Sequence, residues 1–209
     1  MIAGVLLAAG GSSRLGRPKQ LLPLAGRPLI AHALGSALAS GLDQVVVVLG
    51  HEAAAIQASI EESLGRTRAR IVVNLRYAEG QATSVVAGLT ALGTDTEAAL
   101  FLLGDQPGVG AAMIDTLLAT FLATPAPIVA PTYAGTIGNP VLFSRDLFPE
   151  LLRLTGDEGA RGVVRRHLGE TQLAEMGMAE PPQDIDTEAD YQAFRTAWDA
   201  AGHPSGIKG

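Results

Sequence analysis

The chain has 209 residues, of which 47% are hydrophobic and 17% charged, enough apolar content for one globular domain with a substantial core. It contains no cysteine, which excludes disulfides, thiolate metal sites and cysteine nucleophiles, and its net charge of −6 gives no electrostatic reason to expect nucleic acid or a membrane surface as a partner. The apolar runs are far shorter than the roughly 18 residues that span a bilayer, and the first residues lack the basic region of a signal peptide, so a cytoplasmic protein is the simplest interpretation.

Short apolar runs alternate with amphipathic stretches along the first 131 residues. The predicted strands are 4–8, 45–49, 71–75, 99–103 and 127–131. Most are unbroken runs of Val, Ile and Leu, which is typical of parallel strands buried on both faces. Apolar residues at helical spacing predict helices over 29–38 and 113–121. We therefore expect an α/β protein with a doubly wound, mostly parallel sheet and right-handed crossovers.

The pattern loosens after residue 131. The expected elements are a turn and an edge strand within 131–143, helices over 144–154 and 158–168, a strand over 171–176 and a closing helix over 187–201. We expect residues 1–201 to form a single domain with a small β extension at the sheet edge. Residues 202–209 are expected to form a disordered tail.

A glycine-rich, basic loop follows the first predicted strand, in "LLAAGGSSRLGRPKQ", residues 6–20. In an open α/β sheet the ligand crevice lies at the carboxyl ends of the strands, and the first βα loop is the usual phosphate site. Main-chain N–H groups and hydroxyls of such a loop can approach an anion closely. The residues suited to this are Gly10, Gly11, Ser12, Ser13 and Gly16.

The loop fits neither of the two common phosphate motifs. Arg17 and Pro18 stand where a P-loop needs Lys and Ser or Thr, and the glycine spacing is not that of the dinucleotide fingerprint. Prolines at 18, 23 and 28 predict a long irregular arm over 10–27, with Pro28 in the first turn of the next helix. Such an arm can bring Arg14 and Lys19 onto a triphosphate. An ordinary glycine-rich turn with solvated basic residues is the alternative.

The stretch "LLAAGGSSRLGRPKQLLPLAGRPLI" resembles the signature L-x-A-G-x-S-x-R-x-G-x-x-K of nucleotidyltransferases, which move a nucleoside monophosphate from an NTP onto a phosphate. It is most similar to the molybdenum cofactor cytidylyltransferase and guanylyltransferase group, and within it to the molybdopterin cytidylyltransferases. The resemblance continues through "GQATSVVAGL", "LLGDQP", "GNPVLF", "GDEGAR" and "DIDTEADY". It implies a Rossmann-like nucleotidyltransferase fold, Mg²⁺ as cofactor and release of pyrophosphate.

The resemblance assigns the nucleotide site to two segments. The first consists of Ala8, Ala9, Gly10, Gly11, Ser12, Ser13 and Gly16, and the second, near the ribose and base, includes Gly80, Thr83 and Ser84. From the residues alone, a helix start capped by Thr83 or Ser84 is the alternative for the second segment. The resemblance favours CTP, because Ala9 stands where guanylyl members usually have Gly.

Three aspartates are candidate metal ligands. Asp105 directly follows a buried strand, and a lone carboxylate there suits Mg²⁺, although an Asp opening the turn before Pro107 is the alternative. The family's metal-binding Asp falls at this position. The resemblance also returns "DIDT" to the active site, so Asp184 or Asp186 is the second metal-side group; Asp186 with Thr187 capping the last helix is the alternative. The resemblance makes Arg14, Lys19 and Asp105 the catalytic residues.

Two further residues are candidate acceptor contacts. Asn139 lies in "GNPVLF", where related cytidylyltransferases often have His and where a plain β-turn is the alternative. Arg161 lies in the first turn of a helix expected to begin near Glu158 with Asp157 as its cap. A cation at a helix start is locally unfavourable, which suggests an anionic ligand or an ion pair with Asp157 or Glu158.

The acceptor that the resemblance implies is the terminal phosphate of Mo-molybdopterin, with a molybdoenzyme or its chaperone as a possible partner protein. Sugar-1-phosphate and methylerythritol-phosphate transferases share the loop and the metal Asp, so they are alternatives within the same class. The competing classes are a dehydrogenase that binds a dinucleotide and a nucleotide sensor without catalysis. A dehydrogenase needs a ribose-binding acid after its second strand, where this chain has "LGHE".

Overall fold

A computed structural model describes residues 1–12, 14–178 and 180–201. The expected tail at 202–209 and the candidate Ser13 lie outside these ranges. The strands are β1 (Ile2–Ala8), β2 (Pro23–Leu24), β3 (Arg27–Pro28), β4 (Gln44–Leu49), β5 (Arg70–Val73), β6 (Ala98–Leu103), β7 (Ile128–Tyr133), β8 (Thr136–Ile137), β9 (Val141–Ser144) and β10 (Thr171–Glu175). The helices are α1 (Leu29–Ala39), α2 (Ala53–Leu64), α3 (Gln81–Thr90), α4 (Ala111–Ala123), α5 (Phe148–Leu151), α6 (Arg161–Arg166) and α7 (Glu188–Ala200).

The main sheet has the strand order β10-β7-β9-β6-β1-β4-β5. Of these seven strands, all except β9 run in one direction. The central strand β1 is parallel to β4 on one side and β6 on the other, so that Val5 lies beside Val46 and Phe101. These three residues are buried, as expected for apolar strands covered on both faces. The predicted doubly wound, mostly parallel sheet is confirmed.

Strand β9 differs from the expected edge strand. It is inserted antiparallel between β6 and β7, and Phe143 pairs with Ala99 on one side and Ile128 on the other. Its residues Val141 and Leu142 are buried, so the short run "VLF" is apolar because both neighbours and both faces are occupied. Smaller β elements lie off the main path, namely β8 against the end of β7 and a hairpin of β2 and β3.

Helices cover both faces of the sheet. One apolar cluster joins α1, α2 and α4 to one face, and a second joins α3, α5 and α6 to the other. The predicted helices over 29–38 and 113–121 are confirmed as α1 and α4. The predicted helix over 144–154 is reduced to a 3-10 turn followed by the four residues of α5, and that over 158–168 to the six residues of α6. No helix in the described part of the chain has the length and apolar character to cross a membrane.

Residues 10–27 form the predicted irregular arm, whose only regular elements among the described residues are a 3-10 turn at Lys19–Leu21, β2 and the start of β3. Pro28 immediately precedes α1. The arm packs against α7 through a small buried cluster that includes Leu22, Leu24, Ile185 and Tyr191. The Tyr191 hydroxyl donates a hydrogen bond to the carbonyl of Pro23. Helix α7 thereby holds the arm beside the carboxyl ends of β1 and β6.

Candidate active site

A crevice of about 640 Å³ lies at the carboxyl ends of β1 and β6. The sequence-predicted residues that line it are Ala8, Ala9, Gly10, Gly11, Ser12, Lys19, Gly80, Ser84, Asp105, Arg161, Asp184 and Asp186. Glycine is needed at residue 104, because a Cβ there would lie 2.9 Å from the Cβ of Ala8. The close approach places Asp105 directly beside the glycine-rich loop.

Four predicted site residues lie outside the crevice lining. Arg14 is exposed at the rim, and Gly16 turns the loop with a φ of +64°. The Thr83 hydroxyl faces the opposite way and donates to main-chain carbonyls of the preceding turn. Asn139 lines a smaller, mostly apolar cavity that shares Arg161 with the crevice.

Two kinds of hydrogen bond fix the conformation of the glycine-rich loop. The buried Gln20 amide donates to the carbonyls of Ala8 at 3.1 Å and Gly10 at 3.2 Å. The Ser12 hydroxyl oxygen accepts from the Lys19 N–H at 3.0 Å. Gln20 was not identified from the sequence as a residue that supports the loop. The one signal in the sequence is a polar amide between Lys19 and the apolar residues Leu21 and Leu22.

Lys19 lies between two aspartates. Its Nζ is 2.5 Å from Asp105 Oδ2 and 2.7 Å from Asp186 Oδ1. Burial alone would lower the pKa of Lys19, but the attraction and hydrogen bonds of both carboxylates together raise it above its usual value. The ammonium therefore stays protonated at neutral pH and neutralises part of the acidic charge. Arg14 adds a second cation, at 3.3 Å from Asp186 Oδ2.

The segment "DIDT", residues 184–187, is fixed beside Asp105 by Ile185. Ile185 is fully buried, and its N–H donates to the Asp105 carbonyl at 3.2 Å. Because the chain is extended here, the residues on either side of it, Asp184 and Asp186, both face the crevice. Thr187, rather than Asp186, caps α7 and forms a capping box with Asp190. The carboxylate of Asp186 is thus left for Lys19 and Arg14.

Asp184 carries a buried carboxylate oxygen, Oδ1, that makes no hydrogen bond. Burial raises the pKa of Asp184, and the nearby Asp105 carboxylate raises it further. An unpartnered buried oxygen of this kind is unfavourable unless a cation or donor joins it. Carboxylate oxygens beside a phosphate site are the donors that Mg²⁺ prefers, so Asp184 with Asp105 and Asp186 fits a divalent cation.

The described residues nonetheless contain no group of three His, Asp or Glu side chains placed to hold a metal ion as they stand. The Lys19 ammonium lies between Asp105 and Asp186 and contacts both carboxylates. A divalent cation bound by these two carboxylates would compete with this ammonium.

The second nucleotide segment is shaped by close backbone packing. Gly80 has a φ of +115°, and a Cβ there would lie 2.4 Å from the Gly156 carbonyl oxygen, so only glycine fits. Helix α3 begins at Gln81, directly after Gly80, so neither Thr83 nor Ser84 caps it. The alternative of a helix start capped by Thr83 or Ser84 is therefore wrong, because the turn needs glycine where a capping side chain would stand. Ser84 lies inside the first turns of α3, buried at the crevice wall.

Arg161 is the first residue of α6, with Ala160 rather than Asp157 at the N-cap position. The loop that bears Asp157 packs against Gly80 instead of capping a helix. Glu158 pairs with Arg165, and Arg161 makes no ion pair with any residue in the described ranges. The alternative of an ion pair with Asp157 or Glu158 is therefore wrong, and the Arg161 guanidinium is open to an anionic ligand.

The chain is similar to known proteins in sequence and in fold. The family model described as MobA-like NTP transferase domain matches residues 4–171. The chain is 34% identical to nicotine blue oxidoreductase of Paenarthrobacter nicotinovorans, over 89% of this chain and 92% of that protein. It is 33% identical to purine catabolism protein PucB of Bacillus subtilis, over 94% and 97%. Rv0371c of Mycobacterium tuberculosis, solved in complex with manganese, superposes with a TM-score of 0.78 at 31% identity, covering 93% of this chain and 97% of that one.

Proposed function

The chain belongs to the MobA-like NTP transferase family, and from this we propose that it transfers a nucleoside monophosphate, with CTP as the favoured donor, onto the terminal phosphate of an acceptor. One observation carries the proposal: Lys19 and three aspartates converge beside a glycine-rich loop at the carboxyl ends of β1 and β6. Cations, loop N–H groups and carboxylates in one crevice match the needs of a triphosphate with its metal.

In the proposed reaction, an oxygen of the acceptor phosphate attacks the α-phosphorus of the NTP. The bond between the α-phosphorus and the bridging oxygen breaks, and pyrophosphate leaves with the electron pair. Such chemistry needs positioning and neutralisation of charge, and no side-chain nucleophile. Lys19, Arg14 and the loop N–H groups would bind the leaving pyrophosphate, while Asn139 and Arg161 would bind the acceptor.

Asp105, Asp184 and Asp186 would hold Mg²⁺. The ion, when bound, supplies positive charge to the reacting phosphate oxygens. The manganese complex of the related Rv0371c supports a divalent cation, as does the unpartnered Oδ1 of Asp184. The phosphates of the NTP would draw Lys19 away from Asp105, which frees that carboxylate for the metal.

The choice of CTP rests on Ala9 and on "LGDQP", which differs from the acidic-pair form typical of guanylyl members. The proposed acceptor is Mo-molybdopterin, which rests on the resemblance to the molybdopterin cytidylyltransferases alone, and a molybdoenzyme or its chaperone would then receive the product. Sugar and polyol phosphates are the alternative acceptors, because transferases of both kinds share the loop and the metal Asp.

Hydride transfer is the second candidate, because one relative is named an oxidoreductase. A dinucleotide site of the usual kind needs an acidic side chain in the crevice after the second parallel strand. Glu52, which follows β4, is exposed and is not part of the crevice wall. This placement favours nucleotidyl transfer.

A pyrophosphate-release screen tests the proposal. The protein is incubated with Mg²⁺, each of CTP, GTP, ATP and UTP, and either molybdopterin or a sugar phosphate, with Asp105→Ala as the control. We expect release to be fastest with CTP and molybdopterin. Release no faster than the control in every combination would exclude the transferase, and NTP binding without release would indicate a sensor. Oxidation of NADH or NADPH in a parallel assay would favour the second candidate.

A further inference from the structure

Tyr77 is a crevice residue that the proposed reaction does not use. It follows β5 in a short 3-10 turn and lies on the crevice wall with 37% of its surface exposed. Its ring is stacked in parallel on the imidazole of His51, with centroids 5.9 Å apart and planes inclined by 4°. An aromatic ring supported in this way presents a flat surface of fixed orientation.

The surroundings of Tyr77 hold it next to the glycine-rich loop. A Cβ on Gly50 would lie 2.6 Å from the Tyr77 Cβ and 2.8 Å from the Ala9 carbonyl oxygen, so only glycine allows this packing. The His51 N–H donates to the same carbonyl at 3.2 Å. The aromatic pair and the loop are therefore one packed unit.

The order of the strands places Tyr77 at the far end of the crevice from the charged groups. Asp105 follows β6, the glycine-rich loop follows β1, His51 follows β4 and Tyr77 follows β5. These are four neighbouring strands in the order β6-β1-β4-β5, so Tyr77 and the charged groups at Asp105 lie on opposite sides of the glycine-rich loop. A nucleotide whose phosphates lie at the charged end would extend its base towards Tyr77.

We propose that Tyr77, supported by His51, is the surface on which the base of the bound NTP stacks. The inference rests on the proposed function, because it takes the phosphate end from Lys19 and the aspartates. Stacking on an aromatic ring is available to every base. Tyr77 therefore contributes affinity without choosing the base, and the choice falls to polar groups at the same wall, of which the buried Ser84 is one.

Binding of α,β-methylene analogues of CTP and GTP, which resist transfer, tests the proposal by calorimetry in Mg²⁺. We expect Tyr77→Ala to weaken both nucleotides to a similar extent, between about fivefold and a hundredfold, the usual effect of removing one base-stacking ring. Tyr77→Phe keeps the ring and should bind like the wild-type protein. Inorganic tripolyphosphate, which has no base, should bind equally to all three. Leu75→Ala is the matched control, since Leu75 lies two residues before Tyr77 in the same connection after β5 and is 88% exposed.

Two outcomes would overturn the inference while leaving the proposed function in place. In the first, Tyr77→Ala binds both nucleotides as tightly as the wild-type protein. In the second, it loses affinity for tripolyphosphate to the same degree, which would make Tyr77 a structural support of the loop. A wild-type protein that binds no NTP at all would instead refute the proposed function, and the inference with it.

Discussion

At the scale of single residues, opposite charges at hydrogen-bonding distance define the site. Asp105 and Lys19 were predicted from the sequence because each stands at a fixed place in a recognisable pattern. The roles of Gln20 and Tyr77 were not, because a single amide or aromatic residue carries no pattern until folding brings it to the crevice. The choice between Asp184 and Asp186 also needed the structure, which places both at the crevice.

Lys19→Ala should slow turnover by on the order of a hundredfold, the size expected for losing one charged contact in the transition state. The same change should tighten binding of Mn²⁺ to the nucleotide-free protein, because it removes the ammonium between Asp105 and Asp186. Turnover is measured by pyrophosphate release and metal binding by the electron paramagnetic resonance signal of free Mn²⁺.

Arg17→Ala is the control for Lys19, because Arg17 lies in the same arm but pairs with Glu188 at 2.9 Å, away from the aspartates. Arg17→Ala should leave both turnover and Mn²⁺ binding near the wild-type values. Unchanged turnover in Lys19→Ala would remove this lysine from the site. Unchanged or weaker Mn²⁺ binding would show that its ammonium does not compete with the metal.

Asp184→Asn should raise the melting temperature of the nucleotide-free protein at pH 7. Burial raises the pKa of Asp184 above that of the unfolded chain, so the folded state holds the proton more tightly, and stability falls as pH rises through the range above 3.8. Asn removes the charge. The gain should be a few degrees at most, because the group is partly solvated and such charges contribute about 1 kcal/mol or less.

The same comparison at pH 3.5 is the internal control for Asp184, because the carboxyl is then mostly protonated in both states. The increase in melting temperature of Asp184→Asn over the wild-type protein should therefore be smaller at pH 3.5 than at pH 7. A variant that melts at or below the wild-type temperature at pH 7 would contradict the conclusion that the buried charge of Asp184 destabilises the nucleotide-free protein.

At the scale of elements, the arm and α7 depend on each other. Leu24 is fully buried in the cluster between them, so Leu24→Ala should reduce the free energy of unfolding by about 2–5 kcal/mol. For a protein of this size, that corresponds to a fall of roughly 4–20 °C in melting temperature. Pyrophosphate release should also slow, because Lys19 lies on the arm. Leu122→Ala, at an exposed position of α4, is the control and should melt within about 1 °C of the wild-type protein.

A second prediction concerns the link between α5 and α6. His167 Nε2 lies 2.8 Å from Glu150 Oε2, and its Nδ1 lies 3.2 Å from Glu170 Oε1. Hydrogen bonds to Glu150 and Glu170 raise the pKa of His167, so its contribution to stability is present below about pH 6.5 and is lost as pH rises through the raised value.

His167→Gln should therefore lower the melting temperature more at pH 5.5 than at pH 8.5. The difference should be about 1–3 °C, since partly exposed ion pairs contribute about 1 kcal/mol or less. Melting curves at the two pH values measure it, each against the wild-type protein in the same buffer. An equal loss at both pH values would mean that the imidazolium does not contribute.

Elements were predictable where a local pattern determines them and not where distant contacts do. Strands β1, β4 and β6 are long apolar runs and were expected within a few residues of their observed bounds. The position of β9 depends on its two antiparallel partners, which no local pattern shows. The start of α6 was misplaced because Asp157 resembles a cap, whereas the loop that bears it packs on Gly80.

At the scale of the whole molecule, the doubly wound sheet brings distant segments of the chain to one edge. The glycine-rich loop, Asp105, Tyr77 and "DIDT" follow different strands and meet there because parallel strands end at the same side. The family and the nucleotidyl transfer follow from this arrangement together with the comparisons. The acceptor does not, because its proposed contacts, Asn139 and Arg161, belong to no pattern that identifies a particular acceptor.

The central claim is that the enzyme breaks the bond between the α-phosphorus of an NTP and the oxygen that bridges it to the β-phosphate, and transfers the nucleoside monophosphate to an acceptor. Parallel reactions with CTP labelled with ³²P at either the α- or the γ-phosphate, Mg²⁺ and molybdopterin test it most directly. The account predicts that the α-label appears on the acceptor and the γ-label in pyrophosphate, and that neither moves with Asp105→Ala. Release of the γ-label as orthophosphate with the α-label in CDP, or no movement of either label, would contradict it.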